Sequence, residues 1–152
     1  MAQMGSALPA QNLDAMAALA KVVVLYPDDP VANNQLGLVH GYLEDYEQSL
    51  KYYLVCVGRR GAPYLYYGNA ASAYANLGRY GKARELLEEF LRTSPESGVA
   101  HLALADISNY EGRYDLALAE ADKARQTRKR RMMVIVVAAL AVVGGVVAGL
   151  KI

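Results

Sequence analysis

At 152 residues the chain has room for one compact domain and a short appendage, which argues against a multidomain enzyme. Residues 1–124 carry 10 basic and 15 acidic side chains, a net of −5, and so offer no basic face to nucleic-acid phosphates. Cys56 is the sole cysteine, which excludes an intramolecular disulfide and any cysteine-based metal cluster.

Residues 1–11 contain no basic n-region, no apolar h-region and no arginine, which argues against a secretory signal and a matrix-type transit peptide. They are expected to form a flexible N-terminus. From Pro30 onward the chain repeats with a period of 34 residues, and such a period decides the fold before any single motif does. The units are residues 30–63, 64–97 and 98 onward. Their eighth position holds Gly37, Ala71 and Ala105, small residues that let two helices cross closely. Tyr46, Tyr80 and Tyr114 open the second helix of each unit, and Ser49, Ala83 and Ala117 follow as small residues on it. Further along come the apolar or small pairs Tyr53 and Cys56, Leu87 and Phe90, Ala121 and Ala124. Pro95 stands near the end of the second unit, and Pro27 holds the matching place before the first. Asp28-Asp29-Pro30 supplies an acidic N-cap followed by proline at the first helical position. Pro63 is read as the equivalent residue one repeat later.

These residues resemble the tetratricopeptide repeat. Gly78-Arg-Tyr-Gly-Lys-Ala and Gly112-Arg-Tyr-Asp-Leu-Ala look like that family's inter-helix turn, where glycine ends one helix at positive φ and the aromatic starts the next. In the first unit Glu44-Asp-Tyr-Glu-Gln-Ser keeps the aromatic and lacks the glycine. Extended backwards, the register places Ala15, Leu19, Val22 and Pro27 so that residues 12–25 resemble the second helix of a truncated repeat. The resemblance covers about residues 12–124. It implies an all-α superhelix of about three helical hairpins plus an N-terminal half-repeat, which bury together an apolar face that none can bury alone.

Every residue from 132 to 150 is apolar or glycine. Nineteen residues of helix reach about 28 Å, close to the roughly 30 Å hydrocarbon thickness of a bilayer. A single transmembrane helix is expected there, acting as a tail anchor with only Lys151 and Ile152 beyond it. The juxtamembrane segment 125–131 carries a net +5. Its residues Arg128, Lys129, Arg130 and Arg131 would hold that side in the cytosol and attract anionic lipid headgroups. Ala141, Gly145 and Gly149 recur every fourth residue, the spacing at which a second transmembrane helix can approach closely. No proline or glycine interrupts residues 114–143, so the last repeat helix should run on into the bilayer as one rod.

No catalytic constellation emerges. His40 falls at a repeat position that normally faces inward and reads as structural. His101, near the start of a first helix, has no acidic or cysteine neighbour at ligand spacing. Cys56 reads as a core thiol, Glu88-Glu89 as a solvated run, and Gly78 and Gly81 as turn residues. The chain is therefore expected to be no enzyme and to need no metal or cofactor.

In the family that the chain resembles, the first helices line a concave groove. The residues carried over to it are Asn34, Leu38 and Tyr42, then Leu65, Asn69, Ser72 and Asn76, then Leu102, Asp106 and Tyr110. That groove contains no lysine or arginine. Chaperone-binding members clamp a peptide's C-terminal carboxylate, and at the clamp positions this chain offers Asn34, Leu38, Asn69, Val99 and Ala103. Only Asn69 fits, so chaperone tails are rejected as ligands. The 12 tyrosines suggest a contact patch, with Tyr64, Tyr66 and Tyr67 at one helix start and Tyr42 and Tyr110 at the groove edge.

The expected function is a membrane-anchored adaptor or assembly factor that takes a protein or peptide partner in its groove, or a fixed subunit of a membrane complex. The other reading is a tail-anchored mitochondrial outer-membrane receptor for fission or import. The repeat domain is expected in the cytosol, on the mitochondrial outer membrane in a eukaryote or the inner (plasma) membrane in a bacterium.

Overall fold

The computed structural model describes residues 10–149 apart from Gly58, and the side chains of residues 14–140 apart from Gly58. Of residues 1–11, expected to form a flexible N-terminus, 1–9 lie outside that range and Ala10 and Gln11 begin the first helix. The described residues form seven helices: α1 (Ala10–Leu25), α2 (Pro30–Tyr42), α3 (Tyr46–Val57), α4 (Tyr64–Asn76), α5 (Tyr80–Thr93), α6 (Gly98–Tyr110) and α7 (Tyr114–Gly149). Packing divides the chain into two compact units, residues 1–92 and 93–152.

Local chemistry explains the helix boundaries. Asp29 caps α2, its carboxylate accepting from the Ala32 amide at 2.7 Å, and Pro30 occupies the first helical position. Ser97 caps α6 through a 3.4 Å bond from the Ala100 amide. Pro63 differs from its expected place. It is itself the cap residue of α4, in register with Asp29 rather than Pro30, and has no side chain able to accept the bond.

At their C-termini, α2, α4 and α6 end in the same way. The Arg79 amide donates to the Tyr74 carbonyl at 2.9 Å and the Gly78 amide to the Ala75 carbonyl at 2.9 Å. The corresponding Arg113–Ser108 and Gly112–Asn109 bonds close α6. These paired bonds need a left-handed residue at the crossing point, and Gly78 and Gly112 both have φ 71°. The first repeat makes the same bonds, Asp45 to His40 and Glu44 to Gly41, without a glycine. Glu44 is therefore forced to φ 59°. A side chain there costs about 1 kcal/mol, so Glu44→Gly should stabilise the chain by up to about 1 kcal/mol. The midpoint of urea unfolding should rise; a fall would show that the Glu44 side chain makes up for its strained backbone.

In the first unit α1 packs on α2, α2 against α3, and α3 against α4. Ser49 donates to the Gly37 carbonyl at 2.7 Å, and the Tyr53 ring covers Gly37 where α2 and α3 cross. Cys56 is fully buried, its Sγ 3.3 Å from the Pro30 carbonyl oxygen. Phe90 of α5 meets the rings of Tyr64 and Tyr67 of α4, with centroids 5.6 and 5.1 Å apart. The covered stripe of α1 is shifted from its expected register: Met16, Leu19 and Val23 are half-buried, whereas Ala15 and Val22 are exposed. Among the described residues α1 packs on α2, so only the stripe toward α2 is covered.

In the second unit α6 packs on α7, and a Cβ on Gly98 would lie 3.5 Å from the Ala124 carbonyl oxygen. Leu104, Ala105 and Ile107 from α6 and Ala117 and Ala124 from α7 are buried. As expected from the lack of helix breakers, α7 continues unbroken from Tyr114 to Gly149, a span of 36 residues or about 54 Å. Among the described residues no helix is long and apolar enough to cross a membrane. The expected span 132–150 is only partly among them. Ala141, Gly145 and Gly149 have no described side chains.

Candidate functional site

The first unit contains a cleft of about 330 Å³ whose walls come from α2 and α4 and whose floor comes from α3. Leu38 and Tyr42 stand on one wall, Asn69, Ser72 and Asn76 on the other. The 34-residue period explains the convergence, since equivalent first helices present the same face at each step. Between them Tyr46, Ser49 and Tyr53 form the floor, three residues that the groove assignment had left out. Their repeat positions mark them as packing residues, so no functional signal distinguished them. Gly41 completes the shape: a Cβ there would lie 3.4 Å from the Ser49 hydroxyl.

The lining is uncharged. Burial pushes the Tyr53 phenol above its ordinary value, with the Ser49 hydroxyl acting in the opposite direction. Tyr53 therefore stays neutral at physiological pH. The cleft can offer amide, hydroxyl and aromatic groups, which suit a peptide backbone and apolar side chains better than a charged ligand.

Other expected groove residues fall elsewhere. Asn34 is buried at 4% exposure, its Oδ1 accepting from Asn69 Nδ2 at 2.8 Å. The Asn34 side chain is thus joined to that of Asn69 across α2 and α4. Leu65 is exposed on α4 but does not line the cleft. Leu102, Asp106 and Tyr110 are exposed on α6 in the second unit. The tyrosine cluster is divided between roles. Tyr67 is buried and Tyr64 packs on Phe90, because residues three apart share a helix face and that face meets α5. Tyr42 remains 78% exposed at the cleft mouth. Arg128, Lys129, Arg130 and Arg131 are all exposed on α7.

His40 stacks on Tyr52 at 5.4 Å and lies 3.4 Å from Asp45, as an inward-facing structural histidine would. Burial pushes the Cys56 thiol up to about 11, so it is neither thiolate nor nucleophile near neutral pH. His101 differs from its expected isolation. Its Nδ1 lies 2.6 Å from Glu120 and its Nε2 3.0 Å from the Pro95 carbonyl oxygen. The hairpin creates this pair: Gly98 lies against Ala124, and three steps inward on each antiparallel helix place His101 opposite Ala121, beside Glu120. Among the described residues no group of three or more His, Cys, Asp or Glu side chains is placed to hold a metal ion.

Residues 31–62 and 65–107 each match a family model described as tetratricopeptide repeat. Tetratricopeptide repeats occupy these stretches. Solved structures of MamA share the fold of the repeat-bearing chain. One titled MamA MSR-1 matches with a TM-score of 0.68 at 20% identity, covering 80% of this chain and 70% of its own. A second MamA crystal structure gives 0.70 at 20% identity, covering 79% and 70%. MamA AMB-1 gives 0.67 at 21% identity, covering 79% and 71%. No curated protein matches the chain. The repeats suggest a protein partner.

Proposed function

We propose that the protein is a membrane-anchored, non-enzymatic adaptor that holds an extended peptide segment of a protein partner in the α2–α4 cleft. The observation that carries this reading is the meeting of Leu38, Tyr42, Asn69, Ser72 and Asn76 on one uncharged cleft. Asn69 and Asn76 donate to Asn34 Oδ1 and the Ser72 carbonyl, and each amide has further N–H and carbonyl capacity that suits a peptide backbone, while Tyr42 offers an exposed aromatic contact at the mouth. The all-apolar sequence 132–150, continuous with a repeat helix and preceded by four basic residues, supports a span with the repeats on the cytosolic side.

A photoreactive residue at Ser72 in the full chain should yield partner adducts in native membranes, and Tyr42→Glu should reduce them by about tenfold or more. A photoreactive residue at the exposed Glu88 serves as the control. Equal adducts at both positions, unaffected by Tyr42→Glu, would remove the cleft from partner binding. For the anchor, deletion of residues 132–152 should release a soluble helical domain. Its continued sedimentation with carbonate-washed membranes would contradict the span.

A further inference from the structure

The first and third repeats differ on the face where a following helix would stack. In the first repeat α3 lies against both α2 and α4, and its Leu50 and Val57 are buried. Asn34 of α2 is buried with them, its side chain bonded to Asn69 of α4. Two periods of 34 residues later the same positions hold Leu118, Arg125 and Leu102. These are open: Leu118 is 67% exposed, Leu102 51%, and the Arg125 side chain 68%. The second helix α7 runs on past the point where α3 ends, and no following helix covers this face among the described residues. An end face of a repeat array normally turns polar side chains outward. This one is part apolar and part basic. Leu118, Ala121, Arg125 and Arg128 recur at three- and four-residue spacing and form one stripe along α7. All of them but Leu118 line a groove of about 630 Å³ whose other wall includes Val99 and Leu102 of α6. With Gly98 set against Ala124 and His101 against Glu120, Leu102 and Leu118 lie on the side of Arg125 away from residues 132–150.

We propose that this face is a second interface, occupied by an amphipathic helix of a partner protein that sets apolar side chains on Leu118 and Leu102 and carboxylates against Arg125 and Arg128. A helix is the occupant because the same face of the first repeat receives one, α4. The stripe from Leu118 to Arg128 is about 15 Å long, close to three helical turns. Its charge selects an acidic partner. Arg128 has no acidic partner among the described residues, and the Arg125–Asp122 pair at 2.7 Å is exposed and weak enough to exchange. Each guanidinium that closes on a carboxylate in the groove gains a bidentate, charge-assisted bond. A second copy set face to face brings no acidic residue on the stripe, so Arg128 would stay without a carboxylate. The interface is separate from the α2–α4 cleft and does not depend on the membrane-anchor reading.

The test places a photoreactive residue at Leu118 of the full chain in its native cells and sequences the partner segment that is crosslinked. That segment should carry apolar residues three and four apart with acidic residues on the same helical face. The double variant Arg125→Glu/Arg128→Glu should lower the adduct yield by about tenfold or more. Replacing the segment's facing acids by lysine should bring the yield in this variant back to within about twofold of the parent. Lys129→Glu/Arg130→Glu, which changes the charge equally, should leave the parent yield within about twofold. Equal losses in the two variants would mean diffuse attraction and overturn the interface. It would also be overturned by the absence of adducts at Leu118, by adducts with lipid or a second copy, or by a crosslinked segment that has no acidic residue on its face.

Discussion

Gly37→Val is expected to destabilise the first unit by about 3 kcal/mol, with alanine at the same position giving a smaller loss. A Cβ on Gly37 would lie 2.5 Å from Cε1 and 2.6 Å from Cδ1 of Tyr53, closer than carbon atoms approach. The Tyr53 ring is 5% exposed and has little room to withdraw, and the Gly37 carbonyl is held by Ser49 at 2.7 Å. Insertion must therefore separate α2 from α3 or push Tyr53 into the cleft that it floors. Helix propensity acts the other way, since alanine is favoured over glycine by about 1 kcal/mol in a helix interior. A loss in Gly37→Ala would thus show that packing outweighs propensity here. The later repeats suggest a rescue: they place Ala71 and Ala105 at this position and pair them by register with Leu87 and Ala121. The double variant Gly37→Ala/Tyr53→Leu rebuilds the second repeat's combination and should recover much of the loss, a non-additivity that a double-mutant cycle measures. Urea unfolding of the full chain in detergent, followed by circular dichroism, reads each value. A Gly37→Val chain as stable as the parent would mean that α2 and α3 do not cross this closely.

Removing the His101 ring should cost a similar amount, about 3 kcal/mol for His101→Ala, because it deletes two hydrogen bonds and one of them is charge-assisted. The ring joins Glu120 on α7 to the Pro95 carbonyl before α6, and both partners are acceptors. A ring nitrogen donates to either acceptor only when it carries the proton, and the bond to Glu120 is charge-assisted when that carboxylate is ionised. Burial pushes the Glu120 carboxyl up, but the hydrogen bonds from Lys123 and His101 outweigh it and hold the carboxyl below its ordinary value. The sign follows from that depression. The stabilisation from ionised Glu120 is fully present above the ordinary carboxylate range and is lost as pH falls through the lower folded-state value. Unfolding measured downward from about pH 5 should thus show a smaller acid-dependent loss in Glu120→Gln than in the parent. Equal slopes in the two proteins would sever the link between this pair and acid stability.

The cleft and the His101 pair show what kind of information each level carries. Leu38, Tyr42, Asn69, Ser72 and Asn76 were assigned to a groove from repeat register alone, and they line one cleft because equivalent helices repeat the same face. Asn34 stood in the same register yet is 4% exposed, since Asn69, 35 residues later, arrives to bond its side chain. Tyr64 and Tyr67 looked like a surface patch until Phe90 of α5 covered them. Glu120 had no sequence signal of its own. Only the antiparallel packing of α6 on α7 brings it to His101, 19 residues away.

The amino-acid sequence by itself determined the repeat period, the opening of α3, α5 and α7 at their tyrosines, and the unbroken course of α7. Those features depend on chemistry within one helical turn: the Asp29 cap, the left-handed glycines after α4 and α6, and the absence of proline and glycine over residues 114–143. Tertiary structure decided which residues of a correctly placed helix face water, which face a neighbour, and that Glu44 must adopt a backbone suited to glycine. The physical reason is range. A cap is completed by atoms three to five residues away, whereas burial, a partnered amide or a raised thiol pKa is set by whatever side chain the fold delivers from a distant turn.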